Sequence, residues 1–297
     1  MDIKKPITFE QQVQRLIMHK MDVSDADFAE KVLSEVNYYR FSGYALQFRD
    51  VGKPDDYIIG TKFEDVWRLY QFDNELRCIL KTSLDAIELY ARTQIAYGFS
   101  MSKCLDAPHD QHYEPLNFYN KDSHNGIISS LRREKENNKD SLFVVHHAKK
   151  YDGKMPLWVI VELLSLTNLS KLYSAMYYNE QDLIANNMGT TRITLKNHLH
   201  CLANIRNKVA HAGRLYNVIY NPPIMLGRNF LISNPDISAN TLFAYLLAMM
   251  RRLPKKSDKA TLSMAIVNII AKYEDCISLP FLGFPENYIR CLCNEIR

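Results

Sequence analysis

Apolar residues recur at steps of three and four along most of the chain, the period of helices with one buried face. Thr8 followed by Gln11 fits a capping box, and Phe9, Val13, Leu16 and Ile17 give a short helix behind it. Ser24 opens a second helix, with Asp25 and Asp27 in its first turn, that runs to about Val36. Lys53-Pro54-Asp55-Asp56 is a turn signal, and Thr61 with Glu64 fits a second capping box. From Val66 through Leu69, Phe72, Leu76, Ile79, Leu80, Leu84, Ile87 and Ala91 to Ile95, the spacing predicts one long core helix, with Ser83 as the place for a kink. Glu88 and Arg92 stand four apart on it. An exposed pair at that spacing adds only about 0.3–0.5 kcal/mol.

Residues 100–125, with Pro108 and Pro115, read as loop, and residues 127–150 as a polar helix pair bearing Arg132, Arg133, Lys135, Lys149 and Lys150. Met155-Pro156-Leu157-Trp158 starts another helix, with Ile160, Leu163, Leu164, Leu172, Tyr173 and Met176 toward the core. Residues 180–188 make a short helix. Thr190–Asn217 then reads as one long amphipathic helix, with Leu195, Leu199, Leu202, Ile205, Val209 and Ala212 on its apolar face. Asn207, His211 and Arg214 share a polar face, and Gly213 is a stop signal. Beyond Asn217, VIYNPPIMLGRNFLIS reads as a loop or a minor hairpin near 218–232. Residues 238–252, 258–275 and about 286–296 are further amphipathic helices. No repeat and no composition shift divides the chain. The expectation is therefore a single all-α domain over 1–297, with an N-terminal helical part to about 60, a core over about 61–220 and C-terminal helices over about 238–297.

Composition narrows the chemistry. With 47% hydrophobic and 24% charged residues the chain can bury a sizeable core. No run of eighteen apolar residues exists and the N-terminal MDIKKPITFEQQ has no apolar signal segment, so a cytoplasmic chain with no membrane span is expected. The six cysteines have no disulfide-like rhythm and read as free thiols, and Cys291 and Cys293 have no partnering pair for zinc. His109 and His112 lack the further ligands a metal would need, so no metal and no cofactor is expected. A net charge of +4 permits a polyanionic partner without demanding one. The segment NYYRFSGYALQFRD, residues 37–50, reads either as a stacking platform for bases with cations beside it or as aromatic packing onto the core.

The polar end of the 190–217 helix carries the functional expectation. RNA can be cut without metal because the ribose 2′-hydroxyl lies beside the scissile phosphate. A base must take its proton, an acid must protonate the leaving 5′-oxygen, and a cation must steady the charge on phosphorus. Histidine suits the first two tasks and arginine the third. Arg206 and His211 are five residues apart, about 140° around a regular helix, so spacing alone does not bring them together. One histidine per chain is also short of a separate acid and base. Two chains about a two-fold axis would supply both, which predicts a homodimeric, composite site.

The segment RNKVAHAGRLYN, from Arg206 to Asn217, resembles the R-N-x-x-x-H-x-x-R-x-x-N segment of the Abi (abortive infection) family, AbiD/AbiF branch, in the HEPN superfamily. NYYRFSGY, FDNELRCILKTSLDAIELYARTQIAY and MPLWVIVELLSLTNLSKLY resemble further blocks of that family, in the same order, so that the likeness covers roughly residues 6–220. The resemblance implies an all-α HEPN-like bundle with added helices, and a metal-independent endoribonuclease of an anti-phage or toxin system. It implies Arg206 and His211 as RNase-type residues with Asn207 orienting the site, and Arg214, Asn217, Glu88 and Arg92 as supporting groups. Members commonly carry a second histidine after the first; here Ala212 stands there. The implied partners are RNA, a second copy of the chain and, for a toxin, an antitoxin of protein or small RNA. Some HEPN proteins serve as non-catalytic RNA-binding or interaction modules. In that alternative the basic residues Arg132, Arg133, Lys149, Lys150, Arg251 and Arg252 would matter more than His211.

Overall fold

In the computed structural model, residues 5–296 are described, and their regular structure is helical, with only isolated β-bridges among them. Cα packing divides the chain into two units. One holds residues up to Leu76 with Val267–Ser278, the other Arg77–Ile266 with residues from Leu279 onward.

In the first unit, α1 (Phe9–Met18) begins at the Thr8 capping box as expected, and Val13 and Leu16 are its buried positions. Helix α2 (Ala26–Glu35) is capped by Asp25 rather than Ser24; the Asp25 carboxylate accepts the Phe28 N–H at 2.9 Å. Ser24 instead donates its hydroxyl to Glu64 at 2.9 Å. The expected Thr61–Glu64 box is therefore not made. The Thr61 hydroxyl donates to the Ile58 carbonyl, and α4 (Phe63–Lys103) starts beyond it. Between them α3 (Tyr38–Ala45) turns Phe41 and Tyr44 into the core. The Phe41 ring stacks on Phe63 with centroids 4.5 Å apart, and the Tyr44 hydroxyl donates to the buried Asp73 carboxylate at 2.6 Å.

The second unit holds the rest of α4, whose Leu80, Leu84, Ile87, Ala91, Ile95 and Phe99 are buried at helical spacing. Helices α5 (Lys121–Asn137) and α6 (Leu142–Lys150) match the polar pair expected, although α5 starts earlier. The helix expected from Pro156 to Met176 is broken. It becomes α7 (Leu157–Ile160), a 3₁₀ turn over Val161–Leu163, an extended Leu164, and α8 (Leu166–Ala175), which Ser165 caps. Then follow α9 (Tyr178–Asn187) and α10 (Arg192–Ala210), the latter packed against both α8 and α9. Residues 218–227 form no hairpin, and the segment ends in a short helix, α11 (Arg228–Ser233). Its backbone finds partners elsewhere. Asn197 donates to the Pro223 carbonyl and accepts the Met225 N–H, His198 meets the Met225 carbonyl, and the Tyr220 and Ile224 N–H groups reach Asn240 and Ala239. Pro222 and Pro223 have no N–H to give a ladder. Helix α12 (Leu242–Arg252) is buried almost all round, and α13 (Lys256–Lys272) and α14 (Tyr288–Ile296) complete the chain. No helix among the described residues is long and apolar enough to cross a membrane.

Two expectations can be measured. A Cβ on Gly98 of α4 would stand 2.4 Å from Cγ1 of Ile184 on α9, and Ile184 is fully buried. Gly98→Ala is expected to lower stability by about 1–3 kcal/mol in urea unfolding, overpacking outweighing the better helix propensity. Burial pushes His112 and His198 from the ordinary 6.5 down to about 4. Both are held neutral in the fold while the unfolded chain takes up protons first. These two histidines should therefore make stability fall steadily as pH drops from about 6.5 toward 4, read from the urea midpoint across that window.

Candidate active site

The long apolar stripe of α4 is interrupted by a carboxylate. Glu88 follows Leu84 by four residues and Ile87 by one, and only 6% of its side chain is exposed. Both oxygens are used. Oε1 accepts from Nη2 of Arg92 at 2.6 Å, and Oε2 accepts from Nε of Arg206 on α10 at 3.0 Å. A carboxylate taken out of water costs several kcal/mol unless paired, so this double pairing is what lets Glu88 sit in the stripe as an anion.

Each arginine has a further task. Arg92 donates through Nε and Nη2 to the Leu164 carbonyl, at 3.1 and 2.8 Å. That carbonyl precedes the Ser165 cap, where the chain is extended and outside the helical ladder. The break between α7 and α8 thus supplies the acceptor that Arg92 needs. A looser contact, 3.7 Å, links Arg92 to the more exposed Glu162. Arg206 spends only Nε on Glu88. Its side chain is 32% exposed, and its two terminal nitrogens make no hydrogen bond among the described residues. The planar fork is anchored at its root and open at its tip, the geometry that suits a phosphate oxygen.

Helix α10 stops sooner than its periodicity suggests. His211 is its C-cap, with its N–H on the Asn207 carbonyl at 3.0 Å. Ala212 takes the left-handed conformation, φ 52°. The Ala212 N–H meets the Val209 carbonyl at 3.2 Å and the Gly213 N–H meets the Lys208 carbonyl at 2.7 Å, the two bonds of a Schellman stop. Gly213 is required for that closeness, since a Cβ there would lie 3.0 Å from the Lys208 carbonyl oxygen and 2.6 Å from its Cγ. The expected single helix to Asn217 is thus corrected: α10 ends at Ala210, His211 caps it, and Arg214 and Asn217 lie beyond. His211 keeps the helical bond to the Asn207 carbonyl, so its angular separation from Arg206 remains about 140°.

The residues singled out from the sequence therefore fall into two groups. Glu88, Arg92 and Arg206 are joined in one ion-paired array. Asn207 is tied elsewhere, its amide donating to the Thr167 hydroxyl in the first turn of α8 at 3.0 Å. His211 is exposed at the cap, Arg214 is half-buried beyond it, and Asn217 is an exposed turn residue at φ 52°. Leu164, Thr167 and Glu162 were missed. The available signal was Ser165 with Asn168 three residues on, a helix start inside an apolar run. Arg251 and Arg252 are not free cations. Arg251 holds Glu295 at 2.5 Å and the Leu226 carbonyl at 2.7 Å, and Arg252 is buried on the Met188 carbonyl. Among the described residues no three His, Cys, Asp or Glu side chains converge as a metal-ligand set.

The fold is all-α. By its match to the Abi-like protein family over residues 31–217, the chain belongs to that family. The matched stretch contains Glu88, Arg92, Arg206, His211 and the Leu164 break. No curated protein and no solved structure matches it.

Replacing Glu88 by Gln would leave two guanidiniums facing a neutral amide. Glu88→Gln is expected to cost about 3 kcal/mol, the low end for a broken buried pair because both arginines keep some water. Urea unfolding at neutral pH reads it, and Lys81→Ala, which breaks an exposed pair with Asp85, serves as the control near zero.

Proposed function

We propose that the chain is a metal-independent endoribonuclease of an abortive-infection or toxin system, working as a homodimer in the manner of the HEPN superfamily. The observation that carries this reading is Arg206, fixed through Nε on a buried carboxylate with its outer nitrogens open, five residues before an exposed histidine at a helix end. Family membership supports an abortive-infection role.

In this reading the ribose 2′-oxygen attacks phosphorus. The imidazole of His211 from one copy takes the 2′-hydroxyl proton, and the imidazolium from the other gives a proton to the departing 5′-oxygen. The phosphorus–5′-oxygen bond breaks, leaving a 2′,3′-cyclic phosphate and a 5′-hydroxyl. Arg206 meets the charge that builds on the non-bridging oxygens, helped by Arg214. Arg92 and Glu88 hold Arg206 in place, Asn207 fixes α10 against α8, and Asn217 shapes the turn that follows. The second copy supplies the histidine that Ala212 does not.

The test is cleavage of RNA by purified protein in excess EDTA, with product ends read by mass spectrometry. Cyclic phosphate ends are expected, and His211→Ala should lower the rate by at least about 100-fold. Cleavage that needs added Mg²⁺, cleavage indifferent to His211, or a chain that is monomeric at working concentration overturns the reading. Salt-dependent RNA binding with no product at any concentration would instead mark a non-catalytic module.

A further inference from the structure

The aromatic segment at residues 37–50 divides between two environments. Phe41 and Tyr44 are buried in the core of the first unit. Tyr38 and Tyr39, in the first turn of α3, line a cavity of about 500 Å³ instead. Tyr39 is 87% exposed, an uncommon state for so large a ring with no packing duty. Asn37 fixes where it stands, its side chain accepting the Tyr39 N–H at 2.8 Å.

The cavity has more basic than acidic side chains in its wall, and His19 stands 3.7 Å from the Asp56 carboxylate. Lys5, Arg15 and Arg49 line it, with His19 beside them, and Asp55 is the one acidic side chain in its wall. Arg49 is preset: its guanidinium lies 3.9 Å over the Tyr57 ring and donates to the Asp55 carbonyl. Arg15 is half-buried and forms no ion pair among the described residues. An apolar peptide would leave these cations unanswered, and a simple anion would make no use of an open tyrosine ring. A flat π-system joined to phosphates answers both. The ring must be reachable on its face, which a base inside a duplex does not offer.

We propose that this cavity is a separate RNA subsite, in which one unpaired base of a single strand stacks on Tyr39 while the adjoining phosphates lie on Arg15 and Lys5. The choice of RNA as the strand rests on the ribonuclease reading above; the stacking and charge pattern does not. Substrate would then be gripped by the first unit through groups that take no part in the chemistry.

The experiment uses the full-length His211→Ala chain, so that the strand survives, and a short unstructured RNA with a fluorescent end, followed by anisotropy. Tyr39→Ala should weaken binding at least about fivefold, and Tyr39→Phe should bind as the parent, since the stacking face remains. Arg15→Ala should weaken binding and lower the slope against log salt by about one unit. A duplex of the same sequence should bind worse than the strand. Tyr39 is exposed enough for its removal to leave the fold intact, which the thermal unfolding curve checks. Binding unchanged by both Tyr39→Ala and Arg15→Ala, no binding of the strand, or equal binding of the duplex overturns the subsite. The two proposals fail separately. Tyr39-dependent binding without cleavage by the unmutated chain keeps the subsite and removes the nuclease. Cleavage with binding indifferent to Tyr39 and Arg15 does the reverse.

Discussion

A carboxylate buried on the apolar stripe of a core helix sets the constraint from which the second unit's architecture follows. Glu88 is held at one oxygen by its own helix, through Arg92, and at the other by α10, through Arg206. Neither contact tolerates much movement, because an unpaired anion at that depth would cost more than most single contacts return. The register of α10 against α4 is thereby fixed at the level of one side chain. Arg92 extends the constraint to a third segment by holding the Leu164 carbonyl. Hydrophobic burial is non-directional and sets that register less sharply than this polar array does. It also means that Arg206 arrives at its position already oriented.

The same use of buried polar groups recurs where chain segments meet. The Glu180 carboxylate of α9, fully buried, receives Ser102 at 2.8 Å and Lys103 at 3.1 Å from the end of α4. Asp73 receives Tyr44 in the first unit. Arg252 reaches the Met188 carbonyl from within α12. For this reason a count of lysines and arginines is a poor guide to a nucleic-acid surface here. Several of the cations are structural, while the electropositive wall near Arg15 is small and local.

The long helices were legible because three- and four-residue apolar spacing over many turns leaves no alternative period, as in Leu80 to Ile95. Caps were legible where one residue both starts the helix and has no competing partner, as Thr8 does. Thr61 and Ser24 failed that condition: the Thr61 N–H and hydroxyl both go to the Ile58 carbonyl, and Ser24 donates to Glu64 while Asp25 caps α2. The break at Leu164 was easily passed over because apolar residues continue across it; Ser165, which caps α8, was the local signal, and the freed Leu164 carbonyl goes to Arg92. In the candidate site the Glu88–Arg92 spacing was visible, but i,i+4 spacing cannot distinguish a solvated pair from a buried one. The approach of Arg206 could not be read from spacing, because it joins positions 118 residues apart, and only the family resemblance pointed to it. The notion of a hairpin near 218–232 followed from β-branched residues around two prolines. It failed because α10 and the residues before α12 answer those backbone groups.

The stop at the end of α10 has a consequence for how this protein can change over generations. Its geometry is carried by two main-chain hydrogen bonds and by the bare α-carbon of Gly213, while the left-handed residue before it is an alanine. Asn, Asp and His are the non-glycine types that visit that conformation most readily. Position 212 is therefore a place where a polar or ionisable group, an added imidazole included, could be gained or lost without rebuilding the helix end.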